Sequence, residues 1–357
     1  MCAVKVLVTG ARGMLGRAVA RALAARGDEV TVLQRGPSGL PVREVRADLA
    51  DPAVSLAPTL AGQDAVVHLA AKVDVVGPWR QYVRTNVGGT RRLLAAARDA
   101  GVCRFVHVSS PSVAHAGAAL VGAGAGPADP AHARGHYARS KAVAEQVVLG
   151  TAGDGSGGAD AGSAYSDAQL TNRTAQLAKP EHATRRAGTH NPPAVVVIRP
   201  HLVWGPGDTQ LVGRIVARAR AGRLAVVSTG AALIDTTYVD DAVDALVAAL
   251  DRAPDLHRRV LVVSGGEPRP VADLLTSICV AARTPAPHRA VPAPLARAAG
   301  AVVETLWRHD PPMTRFLAEQ LSTAHWFDQR ETRAALGWVP RVGLEEGFRR
   351  LRAAGSW

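Results

Sequence analysis

Short apolar runs rich in β-branched residues alternate with longer alanine-rich amphipathic stretches over the first part of the chain. The runs at residues 4–9 and 65–71 are almost continuously apolar, as strands of a parallel sheet are when both faces are covered, and the run at 104–110 is a strand that ends in two hydroxyl side chains. Two further runs, at 29–35 and 42–48, also have the character of strands. Strands separated by helices at these intervals predict a doubly wound parallel α/β sheet, with ligands at the carboxyl ends of its strands.

Three glycines follow the first strand, and a helical pattern continues from them for about three turns. A strand, a glycine-rich turn and a helix in this order are typical of a dinucleotide site, although the same elements occur in other α/β proteins. The turn needs residues without a Cβ, the backbone must approach a pyrophosphate, and the helix N-terminus offers it free N–H groups. We therefore expect a modified Rossmann fold. The loop residues expected at the cofactor are Gly10, Arg12, Gly13, Met14, Leu15 and Gly16.

The end of the second strand indicates which dinucleotide is bound. An acidic residue at this place would hold the adenosine ribose hydroxyls of NAD, but the chain has Gln34 and Arg35 there. Arg12 lies in the glycine loop, and guanidinium groups bind a phosphate in bidentate fashion. The pattern favours NADP (NADPH) as cofactor, and the alternative is that Arg35 stacks on the adenine. Asp48, at the tip of the third strand, is placed to accept a hydrogen bond from the adenine amino group.

The regular pattern stops near residue 150 and returns near residue 194. Residues 150–193 are rich in Gly, Ala, Ser, Asp, Thr and Asn without apolar periodicity, which is typical of a disordered or loosely packed insertion. A sixth buried strand is expected directly afterwards, and a later helix with Asp240 or Asp241 as its N-cap. We expect a dinucleotide-binding Rossmann part at 1–149, then the insertion, then the end of the sheet and a smaller C-terminal substrate-binding lobe at 194–357.

The chain has a net charge of +12, but the distribution of its basic residues does not indicate nucleic-acid binding. Its arginines are scattered along the chain, and aromatic residues make up only 4% of it, which leaves few platforms for stacking bases. The three cysteines are far apart and show no metal-ligand spacing, which suits a reducing cytosol. No apolar run approaches the ~20 residues needed to span a bilayer, and no signal peptide precedes the first strand. We expect a cytoplasmic protein without a metal site.

Tyr137 and Lys141 lie at positions i and i+4 of a predicted helix, and so share one of its faces. On most helices such a pair is a solvated surface pair. Here it follows a glycine loop and a strand that ends in Ser109 and Ser110, so we treat it as a candidate catalytic pair.

Taken together, these motifs resemble the extended short-chain dehydrogenase/reductase family over nearly the whole chain. The motifs that carry the resemblance are residues 9–16, Asp48, residues 68–71, Asn86, Ser109 and Ser110, Tyr137 and Lys141, and Arg199 with Pro200. Within the family the chain is similar to the 3β-hydroxysteroid dehydrogenase branch, and more narrowly to bacterial reductases of 2-alkyl-3-oxoalkanoic acids. The segments behind the narrower likeness are residues 110–115, 204–211, 235–239, 314–321 and 325–327.

The resemblance implies roles for these residues. Tyr137 is expected to protonate the carbonyl oxygen in a ketone reduction, with Lys141 lowering the pKa of the phenol and bonding the nicotinamide ribose. Ser110 is expected to hold the carbonyl oxygen, with Ser109 as the alternative if the strand end shifts by one residue. Asn86 is expected to be structural. The remaining residues expected at the cofactor are Asp48, Leu49, Ala70, Ala71, Lys141 and Pro200.

The implied reaction is NADPH-dependent reduction of the 3-keto group of long-chain 2-alkyl-3-oxoalkanoic acids, in long-chain olefin or β-lactone biosynthesis. A homodimer through the helix of Tyr137 and contacts with other enzymes of the olefin pathway are further expectations from the resemblance. Two alternatives stay open: a 3β-hydroxysteroid or sterol dehydrogenase, and a regulator that senses NADP without turnover. The resemblance disfavours a sugar-nucleotide substrate, because Ile234 stands where the related epimerases usually carry an arginine.

Overall fold

A computed structural model describes residues 3–74, 76–150, 191–306 and 315–356 of the chain. Nearly all of the insertion expected at 150–193 lies outside these residues. The strands are β1 Lys5–Thr9, β2 Glu29–Gln34, β3 Arg43–Arg46, β4 Ala65–His68, β5 Arg104–Val108, β6 Leu120–Ala123, β7 Ala194–Pro200, β8 Val203–Trp204, β9 Val226–Val227, β10 Leu233–Ile234, β11 Thr237–Tyr238, β12 Val260–Val263, β13 Arg269–Pro270, β14 Ala290–Val291 and β15 His325–Phe327.

The helices lie between these strands and after them. They are α1 Met14–Ala25, α2 Ala57–Leu60, α3 Trp79–Tyr82, α4 Gly89–Asp99, α5 Gly135–Leu149, α6 Val212–Arg220, α7 Val239–Asp251, α8 Val271–Ala281, α9 Ala293–Leu306, α10 Arg315–Ser322, α11 Arg330–Leu336 and α12 Leu344–Ala354, with a π-helical turn at Val83–Gly88 and a 3-10 turn at Pro111–Ala114. Among the described residues, none of these helices is both long and apolar enough to cross a lipid bilayer.

Seven strands form the central sheet, in the spatial order β12-β7-β5-β4-β1-β2-β3. Every neighbouring pair in this sheet is parallel. The chain starts in the middle of the sheet, winds outwards to β3, then returns past β1 to β4 and winds the other way. The reversal between β1 and β4 makes a crevice at their carboxyl ends, where ligands of such sheets bind. The prediction of a doubly wound Rossmann-like sheet is confirmed.

The sheet is covered on both faces because successive side chains of its strands point in opposite directions. In β1, Val6 and Val8 belong to one buried cluster together with residues of α1 and α7. Leu7, between them, belongs to a second cluster together with residues of α2 and α4. This double coverage explains why the runs that form these strands are almost continuously apolar in the sequence.

A second, smaller sheet has the order β13-β10-β15-β6. Its strands are two to four residues long, and β15 near the C-terminus pairs with β6 from the first part of the chain. This sheet brings residues around His115 and Leu120 beside residues around His325. None of its strands was predicted from the sequence.

The predicted N-cap of α7 is wrong. The helix begins after Tyr238, which provides no side-chain cap, and both aspartates lie inside its first turn. The carboxylate of Asp241 instead accepts hydrogen bonds from the backbone N–H groups of Arg341 and Val342, at 2.7 Å and 3.2 Å. A partner 100 residues away has therefore replaced the local capping bond.

Candidate active site

The glycine turn is tightly packed at two of its three glycines. Gly10 has a φ of +79°, and a Cβ there would lie 2.8 Å from the backbone nitrogen of Ala70. A Cβ on Gly16 would lie 2.4 Å from the carbonyl oxygen of Gly10. Both positions therefore require glycine, the first so that β1 can approach the end of β4 and the second so that α1 can pack on the turn.

Gly13 has a different role from the other two glycines. A Cβ there would contact only the carbonyl oxygen of Gly10, at 3.6 Å, and its φ of −75° suits any residue. Gly13 is the N-cap of α1 and provides no side-chain cap, so the first N–H groups of this helix are left for another acceptor. The space beside them is open to a pyrophosphate, which the partial positive charge of the helix N-terminus attracts. The turn fits a dinucleotide.

Two arginines lie near the end of β2: Arg35 directly follows this strand, and Arg12 belongs to the glycine turn. Arg12 and Arg35 are both exposed, and Nη1 of Arg12 lies 3.4 Å from the position that a Cβ on Gly36 would take. The guanidinium of Arg12 thus reaches from the glycine turn to the residue that follows Arg35. Met14 and Leu15 are half-buried in the first turn of α1.

The other expected cofactor residues lie along the same edge of the sheet. Oδ1 of Asp48 accepts a hydrogen bond from the N–H of Ala50, and the side chain remains about one-third exposed. Leu49 is buried in the core, so only its backbone is available to a cofactor. Ala70 donates its N–H to Oγ1 of Thr9 and, like Ala71 and Pro200, is half-buried at a strand end.

Ser110 and Tyr137 meet across the crevice. Ser110 follows β5 and caps the 3-10 turn, with its Oγ 2.9 Å from that of Ser112. The phenol of Tyr137, in the first turn of α5, shares a hydrogen bond with the Ser110 side chain. Ser109 is buried, and its N–H donates to Ile198 of β7 instead. The register of the strand end therefore presents Ser110 rather than Ser109 to the tyrosine.

Lys141 is buried behind this pair and is 3% exposed. Its ammonium donates to the carbonyl oxygen of Val108 at 2.7 Å, and Nε2 of His107 lies 3.4 Å away. Burial lowers the pKa of Lys141 to about 8, an effect that the carboxylate of Glu145 opposes. Burial raises the pKa of Tyr137 to about 12, and its bond with Ser110 opposes this rise. The expected lowering of the phenol's pKa by Lys141 is not seen, because the ammonium is directed at the end of β5.

Asn86 lies in the π-helical turn and is 1% exposed. Its amide group holds the backbone of Lys72 on both sides, accepting from the N–H at 2.7 Å and donating to the carbonyl at 3.1 Å. It also donates to Oγ of Ser140 at 2.9 Å, and Ser140 in turn donates to the carbonyl oxygen of Tyr137. Asn86 therefore supports the first turn of α5, on which the catalytic candidates sit.

The structure brings histidines together in two groups whose contacts were not predicted, although His115 and His201 were expected near the pocket. His68 and His107 pair in register on β4 and β5, with ring centroids 5.4 Å apart. Burial lowers the pKa of His68 to about 3, so its ring is neutral between Thr9 and Thr90, each 2.8 Å away. Aligning the two predicted strands at their carboxyl ends would have brought these two histidines together.

The second group consists of His115, His201 and His325. The ring of His201 meets that of His325 edge to face, with centroids 4.9 Å apart, and the rings of His115 and His325 also meet edge to face, at 6.4 Å. The three residues come from the end of the 3-10 turn, the end of β7 and the start of β15. No local sequence signal joins positions so far apart in the chain.

Comparison with known proteins identifies the family. The sequence profile of the NAD dependent epimerase/dehydratase family matches residues 6–158 and 180–264. A 2-alkyl-3-oxoalkanoate reductase of Stenotrophomonas maltophilia is 38% identical, covering 99% of this chain and 99% of its own. A 3-beta-hydroxysteroid dehydrogenase of Mycolicibacterium neoaurum is 26% identical, covering 96% of this chain and 89% of its own.

A solved structure, MoeE5 in complex with UDP-glucose and NAD, matches with a TM-score of 0.68 and 24% identity over 98% of both chains. At this identity the likeness shows the fold alone. The family profile covers more than half of the chain, and the first relative extends the similarity to its full length. These findings confirm the resemblance inferred from the motifs. The chain belongs to the NAD dependent epimerase/dehydratase family, within the extended short-chain dehydrogenases/reductases, and is an NAD(P)-dependent oxidoreductase.

Proposed function

We propose that the protein reduces the 3-keto group of long-chain 2-alkyl-3-oxoalkanoic acids to the 3-hydroxy acids, with NADPH, in long-chain olefin or β-lactone biosynthesis. The observation that carries this proposal is the Ser110–Tyr137 hydrogen bond backed by buried Lys141, in a chain 38% identical to a reductase of this name. We further propose that the protein acts in the cytoplasm. We also propose that it is a homodimer, and light scattering would measure the mass of the particle in solution.

Each residue of this group has a defined task in ketone reduction. NADPH, when bound, supplies the hydride. Ser110 donates a hydrogen bond to the carbonyl oxygen and stabilises the charge that develops on it. Tyr137 delivers the proton to that oxygen, and with a pKa of about 12 its phenol stays protonated across the neutral range. Lys141, the nearby ammonium, binds the ribose of the cofactor.

The preference for NADPH rests on Arg12 and Arg35. Both guanidinium groups are exposed at the end of β2, where the 2′-phosphate of NADP would lie. Arg12→Ala should raise the KM for NADPH roughly tenfold or more, because a charged hydrogen bond is worth about 1.5–3 kcal/mol. The KM for NADH should hardly change. A matched control is Arg43→Ala, which removes an exposed arginine at the N-terminal end of β3, the end away from the glycine turn. Equal losses with both cofactors would contradict the assignment.

The substrate is tested by following oxidation of the reduced nicotinamide with a synthetic long-chain 2-alkyl-3-oxo acid, with NADPH and NADH in parallel. Oxidation of a 3β-hydroxysteroid is assayed beside it, since the chain is also 26% identical to a steroid dehydrogenase. Rapid reduction of the oxo acid with little steroid turnover supports the proposal. Turnover of the steroid alone would keep the catalytic residues and move the function to the steroid branch. Tight NADPH binding without any turnover would point to a regulator.

A further inference from the structure

Ser112 contacts the side chain of the candidate catalytic serine in two ways. Its N–H donates to Oγ of Ser110 at 3.3 Å, and its own Oγ lies 2.9 Å from the same atom. Pro111 has no N–H, so Ser112 provides the first backbone donor of this turn that the Ser110 side chain can accept from. The Ser110 side chain also bonds the phenol of Tyr137. Its oxygen atom therefore has three polar neighbours.

The direction of these hydrogen bonds follows from the chemistry of a hydroxyl. A serine hydroxyl has one proton to donate and two lone pairs that accept. The N–H of Ser112 can only donate, so it occupies one lone pair of Ser110. The other two neighbours are the hydroxyls of Ser112 and Tyr137, and each of them can donate or accept. In the free protein Ser110 can accept from only one of them while it donates its proton to the other.

A bound ketone would remove this ambiguity. In the proposed reaction Ser110 donates its proton to the carbonyl oxygen, and Tyr137 directs its own proton at the same oxygen. Neither proton is then available to the Ser112 hydroxyl, which can bond Ser110 only as a donor. The proton that remains on the product comes from Tyr137, so both serines keep theirs. A hydroxyl that accepts a hydrogen bond is polarised and donates more strongly in turn.

We propose that Ser112 is a positioning residue for the reduction: its hydroxyl donates to Ser110 and so commits the Ser110 hydroxyl to the carbonyl oxygen of the substrate. The inference rests on the proposed function and adds to it a group that does not touch the reacting atoms. The bond from Ser112 strengthens as negative charge develops on the carbonyl oxygen. Its removal should therefore lower kcat and leave KM nearly unchanged.

The turn itself does not depend on the hydroxyl of Ser112. The N–H of Val113 donates to the carbonyl oxygen of Ser110 at 3.2 Å, and the N–H of His115 to that of Ser112 at 3.3 Å. These bonds, and the backbone N–H that bonds the Ser110 side chain, remain when alanine replaces Ser112. Ser112→Ala should therefore keep the wild-type Tm and the wild-type Kd for NADPH.

The test is a double-mutant cycle of Ser112→Ala and Ser110→Ala, assayed with a synthetic long-chain 2-alkyl-3-oxo acid and NADPH. In the wild-type background Ser112→Ala should lower kcat about fivefold, the worth of one hydrogen bond, with KM within about twofold. In the Ser110→Ala background it should change kcat less than about twofold, because the residue through which it acts is gone. Ser112→Thr keeps the hydroxyl and should retain at least about half of the wild-type kcat. Ser55→Ala, at an exposed site, is the matched control and should alter neither constant.

Equal losses from Ser112→Ala in the two backgrounds would show that its hydroxyl does not act through Ser110, and would overturn the inference. A loss below about twofold in the wild-type background, or a threonine variant as slow as the alanine variant, would overturn it too. Each of these results leaves the proposed function standing, since the wild type reduces the oxo acid in the same series. A wild type that does not reduce it would overturn the proposed function, and the inference with it.

Discussion

The hydroxyl of Tyr137 is the group proposed to donate the proton in the reduction. Tyr137→Phe keeps the ring but removes the group that bonds Ser110, so kcat for reduction should fall by roughly 10²–10⁴-fold. The Kd for NADPH should stay within about twofold, because the phenol is not needed to hold the dinucleotide. Steady-state kinetics and a fluorescence titration measure the two quantities.

The matched control for this prediction is Tyr238→Phe. Tyr238 is buried against Trp204 and makes no contact with Ser110, so its variant should keep normal turnover. Substantial turnover by Tyr137→Phe would show that another group donates the proton.

The identities of these residues could be predicted from the sequence, but their surroundings could not. The spacing of Tyr137 and Lys141 on one helix and the position of Ser110 after a strand are local facts, and the structure brings Ser110 and Tyr137 together. The ammonium of Lys141 contacts the carbonyl of Val108 and the ring of His107 because of how α5 packs on β5. This packing cannot be predicted from the spacing of residues in the sequence. The phenol's pKa was therefore predicted in the wrong direction.

In the turn between β1 and α1, one glycine is needed for stability and another for cofactor binding. Gly16→Ala should destabilise the protein by roughly 1–3 kcal/mol, because its Cβ would collide with the backbone of Gly10. Gly13→Ala should leave stability within about 0.5 kcal/mol but weaken NADPH binding roughly tenfold, since its Cβ fills the space above the helix N-terminus.

Thermal denaturation and NADPH titration of the two variants distinguish these effects, and each variant serves as the control for the other. A stable Gly16→Ala, or a destabilised Gly13→Ala with normal NADPH binding, would contradict the roles given to these glycines.

Elements were predictable where their signal is local. Most strands of the central sheet, apart from the edge strand β3, are largely apolar on both faces, and their positions were predicted to within a few residues. The sheet β13-β10-β15-β6 was missed because its strands have two to four residues, too few for a periodicity. Its pairing of Leu120 with His325 also joins parts of the chain that have no common pattern.

For the whole molecule, the burial of Lys141 links stability to pH. Its pKa falls from 10.5 in the unfolded chain to about 8 in the folded protein. Between these values the unfolded chain binds more protons, so the free energy of unfolding from this group rises with pH. Below about pH 8, burial of the charged ammonium lowers the free energy of unfolding by the full amount that corresponds to the pKa shift. This amount is about 3 kcal/mol, at 1.36 kcal/mol per pKa unit.

Lys141→Met should therefore abolish turnover yet raise the free energy of unfolding by about 1–3 kcal/mol near neutral pH, less than the full shift because Val108 loses its donor. Urea denaturation of wild type and variant at about pH 7 and about pH 10 tests this, since the difference between them should shrink at the higher pH. Lys5→Met, at an exposed site, is the control. A variant less stable than the wild type at both values would contradict the prediction.

The sheet as a whole was predictable because its crossover connections and glycine turn are encoded in order along the chain. The cluster of His115, His201 and His325 was not, because its members come from the end of the 3-10 turn, the end of β7 and the start of β15, which meet only in the assembled fold. The fold could thus be predicted from local patterns, and this cluster of histidines could not.

The π-helical turn Val83–Gly88 limits how the length of this chain can change. It holds one residue more than an α-helix would need between α3 and α4. Deleting any one of its residues would restore regular winding and rotate α3 by about 100° against α4. Tyr82 would then swing away from the carbonyl oxygen of Asp74, which its hydroxyl now bonds at 2.7 Å. A one-residue deletion in this turn should therefore disturb the fold more than a substitution at any of its side chains apart from that of Asn86, which holds Lys72 and Ser140.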